Sequence, residues 1–128
     1  MKLRAIDHVQ ITVLPSDEEE TVCFYREILG LLEIDKPEPL QKNGGAWFRL
    51  GGVELHVSVE EAAGDNGRSK RHVCFEVESL ADAEAVLSEA GVDIIPDNQP
   101  IAEWARFYVR DPGGNRIELA ERCLHSGT

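Results

Sequence analysis

Apolar and polar residues alternate with period two along residues 5–13, with Val9, Ile11 and Val13 on one face and His8, Gln10 and Thr12 on the other. That pattern predicts a strand. Ser16 or Asp17 is placed to cap a helix whose first turn carries Glu18, Glu19 and Glu20, acids favoured at the positive end of the helix dipole. Phe24, Ile28 and Leu29 supply part of its buried stripe, and Gly30 ends it. A short strand is expected near Leu31–Ile34 and a Pro/Asn/Gly-rich loop over residues 37–44. Ala46–Leu50 and Val53–Val59 then read as a hairpin about Gly51-Gly52.

The same order returns in the second half of the chain. A strand is predicted over 72–77, followed by a helix from the Ser79 cap through Ala90, with Gly91 as its stop. A short strand at Val92–Ile95 precedes a hairpin of residues 105–110 and 115–120 about Asp111-Pro112-Gly113-Gly114. His8 and Glu54 recur as His72 and Glu118, each 64 positions on in a chain of 128. Such a repeat predicts one domain over residues 1–128, built of two βαβββ modules at about 4–60 and 70–121. The polar run 64–70 is the expected loop between them.

Strand alternation puts the chemistry on one side. His8, Gln10 and Thr12, then Glu54, His56 and Ser58, then His72, Cys74 and Glu76, then Arg116 and Glu118 all lie opposite the apolar residues of their strands. Two histidines and two glutamates at repeat-related places suit a divalent ion, because imidazole nitrogen and carboxylate oxygen are its common ligands and two carboxylates balance its charge. On the strand of Glu54, His56 shares the face, and either residue could be the ligand. The repeat favours Glu54, since the mate of His56 at the same offset is Ala120. A net charge of -11 excludes nucleic acid and anionic membrane as partners. The absence of a signal-like or membrane-length apolar run, together with three cysteines in no paired spacing, points to a reducing cytoplasm.

Ile6-Asp7-His8-Val9, Phe24-Tyr25-Arg26-Glu27-Ile28-Leu29-Gly30-Leu31, Arg71-His72-Val73 and Asp111-Pro112-Gly113-Gly114-Asn115-Arg116-Ile117-Glu118-Leu119 resemble the vicinal oxygen chelate superfamily of glyoxalases, bleomycin-resistance proteins and dioxygenases. The resemblance runs over about residues 4–121. It implies an α+β fold in which two βαβββ modules form a paired, curled eight-stranded mixed sheet. It also implies a homodimer with cavities shared between subunits, and a Zn, Ni, Mn or Fe ion on His8, Glu54, His72 and Glu118. The implied chemistry is that of a glyoxalase-like lyase or isomerase: two vicinal substrate oxygens on the ion, an enediolate, and Glu118 or Glu54 moving a proton.

Departures accompany the likeness. Thr12 stands where glyoxalase I-like chains carry a glutathione-binding arginine, so the substrate differs or is held differently. Residues 99–104 do not match the potassium loop of fosfomycin-modifying thiol transferases, although Tyr108 matches their tyrosine. An extradiol-type Fe(II) dioxygenase would draw on His8, His72 and Glu118. A metal-free binder of a cationic drug would use the acidic charge and the stacking surfaces of Trp47, Trp104 and Tyr108. His56, Gln10, Trp47 and Tyr108 are the expected pocket walls. Cys74 is expected to be a buried, inert thiol, and Arg49 and Arg106 could meet a substrate carboxylate.

Overall fold

The alternating segments form strands in a computed structural model that describes residues 1–123. Module one contributes β1 (His8–Val13), β2 (Leu32–Ile34), β3 (Ala46–Leu50) and β4 (Val53–Val59), with α1 (Glu18–Cys23) between β1 and β2. Module two contributes β5 (His72–Glu76), α2 (Leu80–Glu89), β6 (Ile95–Pro96), β7 (Trp104–Arg110) and β8 (Arg116–Arg122). The two sheets have matching orders, β1-β4-β3-β2 and β5-β8-β7-β6. In each, the first and last strands of the module pair in parallel and the remaining pairs are antiparallel. The architecture is the expected α+β pair of βαβββ modules.

Turn chemistry fixes both hairpins. Gly51 closes β3 to β4 at φ 59, a left-handed conformation that a side chain rarely adopts. Ser79 caps α2 by accepting from the backbone N–H of Asp82 at 3.1 Å. No such bond caps α1, because a 3-10 turn over Pro15–Asp17 leads into it and takes Ser16 and Asp17 with it. The helix then widens into a π turn, Phe24–Ile28, in which the Leu29 amide reaches back to the Phe24 carbonyl at 3.0 Å. The wider turn buries two neighbours, Phe24 and Tyr25, while Ile28 and Leu29 only flank the core. The expected stripe left out Tyr25, which the π turn brings to the core beside Phe24.

Both expected loops carry structure. Residues 37–44 contain a 3-10 segment, Glu38–Asn43, entered from Pro37, whose ring pre-sets the backbone. The inter-module run overlaps another, Glu61–Arg68. Asn66 is buried there and donates to the carbonyls of Thr12 (2.7 Å) and Gly113 (3.0 Å), one from each module. The expected strand at Val92–Ile95 shrinks to the two residues of β6.

One core serves both modules: Val13, Phe24, Phe48 and Val57 meet Leu87, Phe107, Val109 and Ile117 in a single cluster. Each such side chain contributes about 1.5–3 kcal/mol by leaving water. The Tyr25 hydroxyl donates to Asp111 Oδ2 at 2.7 Å and joins the modules through their buried interior. Burial raises Asp111 above the ordinary carboxylate range, against the hydrogen bonds from Tyr25 and Asn115 that favour its anion. The apolar sheet faces supply much of this core, and the polar residues of the strands lie on the opposite faces.

Candidate functional site: two polar half-sites

On the first sheet the ladder sets His8 level with Glu54, and Gln10 level with His56. Trp47, opposite His56 on β3, stacks on its ring at 3.7 Å, and His8 stacks on the other side at 4.1 Å. His56 is thus held between two rings and is nearly closed to solvent, at 4% exposure. Its Nε2 lies 2.9 Å from Glu54 Oε1, while Arg49 reaches Glu54 Oε2 at 3.5 Å. The hydrogen bond from His56 foremost, with help from Arg49, holds the Glu54 carboxyl below its ordinary range despite partial desolvation. His8 Nδ1 is 2.9 Å from Asp7 Oδ2. A carboxylate oxygen only accepts, so Nδ1 carries the hydrogen of this contact.

On the second sheet His72 Nε2 lies 3.1 Å from Glu118 Oε1, and His72 Nδ1 lies 2.9 Å from the Lys70 carbonyl. That carbonyl can only accept, so here too Nδ1 carries the hydrogen. An ion between Nε2 and Glu118 Oε1 would take the place of the hydrogen-bond proton that this contact otherwise requires. Glu118 is buried, and Tyr108, level with it on β7, packs edge-on to His72 at 5.8 Å. Arg106 sits 3.7 Å from Glu118 Oε2 and is aimed by Asp97 (2.9 Å) and by the Gln99 carbonyl (3.0 Å). Arg106 in turn holds the Asp97 carboxyl below its ordinary range, with the backbone N–H of Gln99 adding to the effect. The Arg116 guanidinium lies over the Tyr108 ring at 4.0 Å. Cys74 is solvent-accessible, which corrects the expectation of a buried thiol. Partial burial of the sulfur, followed by the Glu118 charge, still pushes the thiol up to about 11, so the expected inertness has a different cause.

Imidazole with Nδ1 anchored and Nε2 free, next to a carboxylate, is the usual dress of a metal-binding histidine. Two ligand atoms each about 2.1 Å from an ion and at right angles to one another are about 3 Å apart. The pair His72/Glu118 has that spacing, and its imidazole and carboxylate donors are of the kind that fit a divalent ion. Within one chain the two half-sites do not join. Among the described residues, no three His, Cys, Asp or Glu side chains gather at one point. Gln10 stands exposed beside His56, and Trp104, four residues before Tyr108 on β7, carries Arg122 over its ring at 4.2 Å.

The ladders also correct the repeat. His8 is level with Glu54, but His72 is level with Arg116, and Glu118 is level with Cys74. With the two histidines superposed, the mate of Glu118 is His56 and the mate of Glu54 is Arg116. Sequence reading missed Asp7, the Lys70 carbonyl and Asp97. Only Asp7, adjacent to His8, carried a local signal; Asp97 meets Arg106 through a loop that has no period.

A model of the Glyoxalase/Bleomycin resistance protein/Dioxygenase superfamily matches residues 5–119, and the chain belongs to that superfamily. A crystal structure of a glyoxalase family protein from Bacillus anthracis superposes with a TM-score of 0.84 at 39% identity, covering 95% of this chain and 98% of that one. The glutathione transferase FosA of Serratia marcescens is 30% identical over 91% of this chain and 80% of its own length. Glyoxylase I 4 of Arabidopsis thaliana is 27% identical over 93% of this chain and 71% of its own. Among the described residues no helix is long and apolar enough to cross a membrane.

Proposed function

We propose that this protein is a metal-dependent small-molecule enzyme of the glyoxalase-like kind, a lyase or isomerase acting on a substrate with two vicinal oxygens. In this reading it is a cytoplasmic homodimer. His8 and Glu54 of one chain face the partner subunit's His72 and the partner subunit's Glu118 across each site. The observation that carries the reading is His72, anchored through Nδ1 on the Lys70 carbonyl with its Nε2 3.1 Å from Glu118 Oε1. The dimer is supported by the separation of the half-sites and by the place of β1 and β5 at the edges of their sheets.

A Zn, Ni, Mn or Fe ion bound there supplies Lewis acidity toward neighbouring substrate oxygens. The chain's own residues do the rest. At a carboxylate oxygen Glu118 accepts the proton from the carbon that bears the substrate hydroxyl, and it returns that proton to the adjacent carbonyl carbon. Arg106, clamped by Asp97, keeps Glu118 oriented. Glu54 is the second candidate for moving a proton, with its basicity lowered by His56. Trp47, His56 and Tyr108 form the walls, and Gln10 lies at the mouth. An Fe(II) extradiol-type dioxygenase would use His8, His72 and Glu118 of the same set. The ring stack of Trp47, His56 and His8 also suits a metal-free binder of a flat cationic drug.

Metal content by mass spectrometry tests the proposal. Wild type is expected to carry about one divalent ion per chain, and His72→Ala is expected to lose it, together with turnover of α-hydroxycarbonyl or thiohemiacetal substrates. A wild type that takes up none of Ni, Zn, Mn or Fe(II) removes the metalloenzyme reading and leaves the drug binder. Consumption of a catechol by the Fe(II) form would select the dioxygenase.

A further inference from the structure

The strand register assigns His56 a role that the sequence repeat withholds from it. We propose that His56 is the metal ligand contributed by β4, with Glu54 as its positioning residue; this rests on the metal reading above. Four observations converge. The ladder puts His56 two residues beyond the level of His8, as it puts Glu118 two beyond the level of His72. Each of the two is the direct neighbour of its module's histidine, His56 by ring stacking at 4.1 Å and Glu118 by a 3.1 Å contact. Each is walled by the aromatic residue opposite on the next strand, Trp47 for His56 and Tyr108 for Glu118. Glu54 instead holds the level of Arg116, a residue that ligates nothing, and it is already engaged by Arg49.

The consequence is chemical. Three imidazoles and one carboxylate leave a divalent ion with one uncompensated positive charge, where two carboxylates would neutralise it. A site of that charge favours a substrate that binds as an anion, such as the deprotonated form of an α-hydroxycarbonyl. It also favours nitrogen-preferring ions such as Ni and Zn over Mn.

X-ray absorption of the nickel-loaded dimer counts the imidazoles directly and needs no turnover. The expected counts are three in wild type, two in His56→Gln and three in Glu54→Gln, with nickel affinity in His56→Gln weakened by about 10-fold or more. Wild type already decides the matter if the glutamine variant folds poorly. A count of two in wild type, or a count unchanged in His56→Gln, overturns the assignment of His56 while leaving the metal reading intact. Failure of wild type to bind nickel at all overturns both.

Discussion

The two modules share a topology and a polar face but furnish that face differently. Module one offers three stacked rings with a carboxylate to one side. Module two sets one ring against a buried carboxylate and braces it with Arg106 of β7, which Asp97 aims from a loop. The difference arises from a slip of two residues between the β1–β4 and β5–β8 ladders, relative to the 64-residue offset in sequence. A slip of one would have turned the polar residues inward; a slip of two keeps the face and changes only the mates. Duplicated modules can therefore conserve where side chains point while exchanging what they meet.

The mirrored turns give the sharpest contrast. A Cβ at Gly113 would run into Val13 of the other module, whereas a Cβ at Gly52 would meet nothing within 4 Å among the described residues. Gly113→Ala is expected to cost about 1–3 kcal/mol in urea unfolding, and Gly52→Ala within about 0.5 kcal/mol. Equal losses would mean that the second turn is not pressed against module one.

A second contrast lies in acid. Asp97 has a depressed pKa, so its contribution is present above the unfolded value of about 3.9 and disappears as pH falls through the lower folded value. Asp111 is raised, so its contribution is present below that unfolded value and disappears as pH rises through the folded one. Urea midpoints followed between about pH 3 and 6 should fall less steeply with acid in Asp97→Asn than in wild type, and more steeply in Asp111→Asn. Shifts of the same sign would contradict the two environments.

The smallest effect concerns Gln10 and Cys74, which stand 64 positions apart in the repeat. At about 11, the Cys74 thiol has a thiolate fraction roughly a hundredfold below that of a free cysteine. Iodoacetamide should modify it at least tenfold more slowly than it modifies N-acetylcysteine. A Gln10→Cys thiol, level with His56 instead of a carboxylate, should react faster than Cys74. Comparable rates at the two positions would remove Glu118 from the explanation.

The elements, both hairpins, the repeat and the polar face were legible because they follow from period two, turn residues and capping, all local features. The mate of each ligand was not, since an offset in sequence does not fix a register across a sheet. Nor was the bracing of Arg106 by Asp97, which depends on the path of a loop. His56 shows the limit: its partner at the same offset is Ala120, yet its own level in the ladder is that of Glu118.

The π turn at Phe24–Ile28 amounts to one residue inserted into a helix. Each residue of an α-helix turns the chain by about 100°. Deleting one position before Tyr25 would therefore swing its ring out of the interior and unlatch the hydroxyl from Asp111. Length at this point, more than composition, locks one half of the molecule to the other.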